Sequence, residues 1–188
     1  MKADDGKVIA SVIARAGSKR LPYKNLLPYK GVPMVRLAVL QLLESKLFSK
    51  VVLSTDSELI ARTCVDIKEL SIINRPAELA TDEVASIPVF QHIVQNFPCD
   101  IHLNYNCNFP ECSMDVFSEA ISLAREFGES LSNPYAVWAQ STDCLKNYGD
   151  PFKITAKIFS AKNVYPLDIH TEEDLLNMHR EMQASLNW

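Results

Sequence analysis

The sequence predicts an α/β fold of three layers, α/β/α, with helices covering both faces of a mostly parallel sheet. Two observations carry this expectation. Short apolar runs rich in β-branched residues recur along the chain, and segments with helical spacing alternate with them. No internal repeat, linker or low-complexity tract interrupts the 188 residues, a length that fits one domain spanning 1–188 and burying about 70% of its unfolded surface.

The elements follow in order. Val8 to Ala14 reads as a buried strand, followed by a polar loop from Arg15 to Asn25. Pro33 suits a first helical turn, and Val35, Leu37, Ala38, Leu40, Leu42 and Leu43 give the helix to Leu47 a wide apolar face. Lys50 to Ser54 is a second strand, and Asp56 or Ser57 caps the helix carrying Leu59, Ile60 and Cys64. Leu70 to Ile73 is a third strand, Pro88 to Phe97 a helix, Ile101 to Tyr105 a fourth strand and Ser113 to Phe127 an amphipathic helix. Tyr135 to Gln140 and Phe152 to Phe159 have strand character, with Gly149-Asp150-Pro151 as a turn. Val164 to Ile169 is a strand running into a helix that Thr171 caps, with Asp174 three residues on as the reciprocal partner.

Composition narrows the classes of function. With 47% apolar and 22% charged residues the chain reads as a soluble globular protein. A formal charge of -4 argues against a general nucleic-acid binder, though not against a local basic pocket. The five cysteines (Cys64, Cys99, Cys107, Cys112, Cys144) include no C-x-x-C pair and read as reduced, mostly buried thiols. A polar start from Met1 to Lys7 and the lack of an apolar run of roughly 18 residues predict a cytoplasmic protein with no leader and no membrane span.

In parallel sheets ligands bind beyond the carboxyl ends of the strands, where strand order reverses. Chemistry is therefore expected in the loops after Ala14, Ser54, Ile73, Tyr105 and Asp168. The first of these, Ala14-Arg15-Ala16-Gly17-Ser18-Lys19-Arg20-Leu21-Pro22-Tyr23-Lys24-Asn25-Leu26, puts four cations into ten residues. It is neither a P-loop nor a G-x-G-x-x-G fingerprint. Its cations can neutralise a triphosphate and Gly17 lets backbone approach a ligand; the plainer reading is a solvated basic turn.

The order of residues in this loop resembles the signature A-R-x-G-S-K-x-[IL]-P-x-K-N of the sugar-activating cytidylyltransferases, the acylneuraminate enzymes among them, with Ala16 where many members carry glycine. Val51 to Ala61 is similar to the family's V-V-S-T-D-S-E-x-I-A. Arg75-Pro76-Ala77-Glu78-Leu79-Ala80-Thr81-Asp82 resembles R-P-x-E-L-A-x-D, with Ser86 at the family spacing. Asp168 to Leu175 resembles the closing D-I-D-T-x-E-D-L, with His170 in place of the second aspartate.

The resemblance implies a Rossmann-like fold of the nucleotide-diphospho-sugar transferase type, and transfer of CMP from CTP to an acidic, sialic acid-like sugar with release of pyrophosphate. It places Ala14, Arg15, Ala16, Gly17, Ser18, Lys19, Lys24 and Asn25 around the CTP phosphates. It gives Asp168 the metal, Mg²⁺ or in its stead Mn²⁺, since carboxylate oxygens suit a hard cation. His170 supports a softer metal, acts on a phosphate, serves as general base, or marks a degenerate site. Arg75 binds nucleotide or phosphate, or else pairs with Glu78 or Asp82 in a structural loop. Ser86 donates to the nucleotide or caps the next helix; Asp56 is expected to be a cap. Asn106 falls where the family's L-Q-P-T-S-P stretch has glutamine and keeps an amide for the substrate. Residues 110–165 are too few for the family's subunit-swapping element, so a homodimer forms differently or the acceptor site lies within one subunit. Alternative readings are a nucleotidyltransferase for another base or acceptor, and a non-enzymatic nucleotide-binding relative.

Overall fold

The computed structural model describes residues 6–17, 21, 23–164 and 169–185, with side chains through residue 180. In chain order the elements are β1 (Val8–Ile13), a 3-10 turn (Lys24–Leu26), β2 (Pro28–Tyr29), β3 (Val32–Pro33), α1 (Met34–Ser45), β4 (Lys50–Thr55), α2 (Glu58–Arg62), β5 (Leu70–Asn74), a second 3-10 turn (Ala77–Leu79) and α3 (Ser86–Asn96). β6 (Ile101–Tyr105), α4 (Met114–Phe127), β7 (Glu129–Asn133), β8 (Val137–Ser141), α5 (Thr142–Lys146), β9 (Lys157–Ser160) and α6 (Glu172–Ser185) complete it.

Among the described residues the main sheet has the order β5-β4-β1-β6-β8-β7-β9, and β8 is antiparallel to both its neighbours. The remaining pairings are parallel; Ala10, for example, lies opposite Val51 on one side and Leu103 on the other. The predicted α/β/α sandwich is thus the observed one. Successive strand residues face opposite layers. Ala10 and Val12 of β1 join the core with Val35, Val39 and Leu42 of α1 and with Phe117 and Ala120 of α4. Ile9 and Val52 face Ile87, Phe90 and Ile93 of α3 instead. Burial on both faces is why these strands read as continuous apolar runs.

The second half departs from the sequence expectation in several places. β7 and α5 went unpredicted. β7 reads Glu-Ser-Leu-Ser-Asn, yet Ser130 and Ser132 are buried because their hydroxyls are satisfied. Ser130 donates to the Ala120 carbonyl (2.7 Å); Ser132 donates to the Pro134 carbonyl (2.7 Å) and accepts from the Val137 amide (2.9 Å). Glu129 is buried too, accepting from Trp138 Nε1 (2.8 Å), Tyr148 Oη (2.9 Å) and Thr155 Oγ1 (2.7 Å). The strand expected over Phe152 to Phe159 is only Lys157–Ser160, and the turn before it closes from Lys153 N to Asp150 O (3.0 Å). α3 begins at Ser86 rather than Pro88. None of the five cysteines forms a disulfide among the described residues; Cys64 and Cys107 are buried, and the other three are only partly so. Of the strand expected over Val164 to Ile169, residues 165–168 lie outside the described ones, and Val164 bridges Cys112.

Two devices place the C-terminal helix. Thr171 and Asp174 form the predicted reciprocal cap: the Asp174 amide donates to Thr171 Oγ1 (3.2 Å), and Asp174 Oδ2 accepts from the amides of Thr171 (2.8 Å) and His170 (2.9 Å). Ile169 and Met178, both fully buried, pack with Leu21, Tyr29 and Met34. Each such side chain contributes roughly 1.5–3 kcal/mol on burial. This small core presses α6 against the loop that follows β1. No described helix is long and apolar enough to cross a membrane.

Candidate functional site

Strand order reverses between β1 and β6, since the chain moves outward through β4 and β5 and returns to β6 on the other side of β1. At the carboxyl ends of β1, β5 and β6 lies a cavity of about 540 Å³. It is bordered by Arg15, Gly17, Lys24 and Asn25 after β1, by Arg75, Thr81, Asp82 and Ser86 after β5, and by Asn106, Cys107 and Asn108 after β6. Loops up to 93 residues apart in sequence, as Arg15 and Asn108 are, meet here because parallel strands carry their outgoing loops to one edge.

Arg75 dominates the electrostatics. Only 5% exposed, it donates from Nε to Ser54 Oγ (3.2 Å) and from Nη2 to the Ser54 carbonyl (2.7 Å). No carboxylate pairs with it among the described residues. Desolvation pushes its pKa down to about 10, Arg15 adds to the fall, and the field of Asp56 opposes it. The group remains cationic at neutral pH. A buried cation with a free face toward a cavity is costly unless an anion completes it.

The alternative reading of Arg75, a pairing with Glu78 or Asp82, is not the arrangement found among the described residues. Asp82 forms an ion pair with Arg15, and Arg15 also donates from Nη1 to the Ala80 carbonyl (3.3 Å). Asp56 is not a helix cap. Ser57 takes that role, accepting from the Ile60 amide (3.3 Å), while Asp56 Oδ1 accepts from the Ala16 amide (2.9 Å) and so holds the first loop. Ser86 is the first residue of α3, with Ala85 at the cap position, so its hydroxyl borders the cavity rather than capping.

The first loop is held in shape from several directions. Ala14 is core, and its amide donates to the Ser54 carbonyl (3.0 Å). Asn25 donates from Nδ2 to the Arg15 carbonyl (3.1 Å), and Cys107 Sγ donates to Asn25 Oδ1 (3.4 Å). Tyr23 adopts a left-handed conformation (φ 53°), sparsely populated for a non-glycine residue, just before the turn that brings Lys24 to the cavity. A Cβ on Gly17 would meet nothing within 4 Å, so the space that glycine leaves open is the cavity's own. Lys24 Nζ stands 3.2 Å from Nδ1 of His170. An ammonium has no acceptor, so Nδ1 is the accepting nitrogen and, in the neutral ring, Nε2 carries the proton. In that tautomer the contact with Lys24 engages Nδ1, and Nε2–H is a ring donor.

Asn106 borders the cavity, and its amide also shapes its own loop: Nδ2 donates to the Tyr135 carbonyl (3.2 Å) and Oδ1 accepts from the Asn108 amide (3.1 Å). Ser18, Lys19 and Asp168 lie outside the described residues. Among the described ones, no group of three or more His, Cys, Asp or Glu could enclose a cation. Sequence reasoning did not assign Asp82, Cys107 or Asn108 to the site. Asp82 lay inside the stretch from Arg75 to Asp82, but nothing in the sequence shows which side chain faces inward.

A cavity at the switch point of a parallel sheet places this chain among the open α/β proteins whose ligands bind at that edge. The sequence model of the cytidylyltransferase family matches residues 9–165, and the chain belongs to that family. Over 85 residues it is 35% identical to the post-translational flagellin modification protein B of Campylobacter coli, covering 45% of this chain and 36% of that protein. Over 93 residues it is 36% identical to N-acylneuraminate cytidylyltransferase of Streptococcus agalactiae serotype V, covering 48% of this chain and 22% of that protein. The match thus spans well under half the length of these curated relatives. The fold is similar to CMP:2-keto-3-deoxy-manno-octonic acid synthetase complexed with CTP, with a TM-score of 0.77 at 15% identity over 95% of this chain and 99% of that one. A cytidylyltransferase from Leptospira borgpetersenii serovar Hardjo-bovis gives a TM-score of 0.69 at 18% identity, covering 90% and 83% of the two chains.

Proposed function

We propose that this chain is one cytoplasmic nucleotidyltransferase domain over residues 1–188 that moves CMP from CTP to an acidic, sialic acid-like sugar, releasing pyrophosphate. The observation that carries the reading is Arg75, a buried guanidinium without a carboxylate partner among the described residues, bordering a cavity that Arg15 and Lys24 also line. Three cations around one cavity call for a polyanion of triphosphate size.

In this reading a sugar hydroxyl attacks the α-phosphorus in line and pyrophosphate leaves. The residues contribute position and charge neutralisation, the main levers in phosphoryl-type transfer. Arg75 and Ser86 hold the nucleotide. Lys24, Ser18, Lys19 and the backbone of residues 14–17 surround the phosphates, with Arg15 leaving Asp82 to join them. His170 donates from Nε2 to a phosphate oxygen. Mg²⁺, or Mn²⁺ in its place, would be held by Asp168 together with phosphate oxygens and water, and would neutralise the triphosphate and polarise its α-phosphorus; one protein carboxylate suffices for such an ion. Residues 110–165 go largely into α4, β7, β8, α5 and β9, which favours an acceptor site built within one subunit even if the chain is a homodimer.

Incubating the protein with CTP, each other nucleoside triphosphate, Mg²⁺ or Mn²⁺ and a panel of eight- and nine-carbon sugar acids tests this by pyrophosphate release. Acceptor-dependent release with CTP, abolished in Asp168→Ala, is expected. CTP binding that is lost in Arg75→Met, with no release under any condition, would reduce the protein to a nucleotide-binding module.

A further inference from the structure

The cavity is chemically divided. Its β1 and β5 loops carry the cations Arg15, Lys24 and Arg75, while the β6 loop offers only Asn106, Cys107 and Asn108. Strand spacing of ~4.8 Å puts the ends of β5 and β6, three positions apart in the sheet, about 14 Å from each other. A triphosphate held among the cations leaves the β6 end for a second, less charged group.

At that end one polar side chain is unspent. Asn108 is 9% exposed, and its carboxamide has no hydrogen-bond partner among the described residues. Its main chain, by contrast, is fixed on both sides. The Asn108 amide donates to Asn106 Oδ1 (3.1 Å), and its carbonyl accepts from the Ile169 amide (3.3 Å). Phe109 N closes the turn on the Asn106 carbonyl (3.1 Å), with Phe109 itself 2% exposed. The bond to Ile169 also sets Asn108 beside the segment that brings His170 to Lys24. The residue is largely buried but borders the cavity, and a rigid backbone presents its carboxamide there ready for a ligand.

We propose that Asn108, rather than Asn106, is the specificity-determining residue of the acceptor half-site, reading a neutral hydroxyl or amide group of the acceptor sugar. The proposal rests on the nucleotidyltransferase reading above. A carboxamide offers two donors and an acceptor without charge, so a hydroxyl or an acylamino group, which can both accept from it and donate to it, uses its full capacity, whereas a carboxylate or phosphate has no donor for its oxygen. A site built to bond such a group rejects the analogue lacking it far more strongly than an apolar pocket does.

The test uses three probes: N-acetylneuraminic acid, its analogue with a hydroxyl in place of the acetamido group, and 3-deoxy-manno-octulosonic acid. kcat/KM for each is measured in the wild type, Asn108→Ala and Asn108→Asp, alongside CTP affinity by calorimetry. Neither substitution touches the main-chain bonds of residue 108. Expected are a CTP Kd within about twofold of wild type, an acceptor kcat/KM lowered about tenfold or more, and a changed order of preference among the sugars. Asn108→Asp, which keeps an acceptor but loses both donors, is expected to lose at least as much on these anionic sugars. Normal turnover with unchanged discrimination overturns the inference alone, as does a CTP Kd weakened as much as the acceptor parameters. A wild type that releases no pyrophosphate with any of the three overturns the nucleotidyltransferase reading and this inference with it.

Discussion

Lys24 Nζ lies 3.2 Å from Nδ1 of His170, a contact between residues 146 positions apart. It joins the loop after β1 to the segment that opens α6, and it makes each end depend on the other. In the proposed function Lys24 faces the phosphates, so Lys24→Met is expected to lower kcat/KM for CTP about 100-fold. His170→Ala leaves that charge and is expected to cost about tenfold, seen in kcat more than in CTP affinity. Steady-state pyrophosphate release with CTP as the varied substrate separates the two.

Asp174 is the anchor of that contact, because its Oδ2 accepts from the His170 and Thr171 amides. These bonds, the His170 amide's foremost, hold its carboxyl below the usual carboxylate range. Asp174→Ala is expected to destabilise the fold by about 1 kcal/mol, as loss of a helix cap does, and to lower activity alongside. Denaturant unfolding measures the first effect. A variant that unfolds like the wild type would rule out the anchoring role.

Arg75 sets stability against binding. Its burial without a carboxylate disfavours the ligand-free state, and the Ser54 carbonyl keeps a partner in the Ala14 amide (3.0 Å) when the side chain is gone. Arg75→Met is therefore expected to leave Tm unchanged or raise it, and to weaken CTP binding about 100-fold. Thermal melts with and without CTP check both parts. A large fall in Tm of the ligand-free variant would mean that Arg75 is structural.

His102 gives a pH signature. It lies fully buried between Ser11 Oγ (2.8 Å from Nε2) and Gln140 Oε1 (3.3 Å from Nδ1), and desolvation pushes its pKa down to about 4. A depressed pKa means the unfolded chain binds the proton first. The stability it confers is complete above the unfolded value near 6.5 and is lost as pH falls toward 4, by up to about 3 kcal/mol. Unfolding free energies measured from pH 7 to 4 are expected to fall more steeply in the wild type than in His102→Gln. Parallel curves would remove His102 from the account.

The parallel half of the sheet was legible because β1, β4 and β6 are covered on both faces and show it as unbroken apolar runs. β7 was illegible for the opposite reason. Ser130, Ser132 and Glu129 look like loop residues until carbonyls, amides and the Trp138 indole are found to satisfy them. α5 is short and polar, and its capping serine, Ser141, is also the last residue of β8.

The candidate site divides in the same way. Which loops would carry chemistry followed from the sequence, because a parallel sheet sends its outgoing loops to one edge and the cationic residues stand directly after the first strand. Local hydrogen bonding was legible too: Thr171 and Asp174 cap each other because the partners are three residues apart. The tertiary structure alone decided the long-range pairings. It gave Asp82 to Arg15, Asp56 to the Ala16 amide and His170 to Lys24, and it left Asn108 rather than Asn106 with a free amide. Charges and amides carry no record in sequence of the partner that folding brings within 3 Å. That choice is made by packing, where each buried polar group must find its match or wait for a ligand.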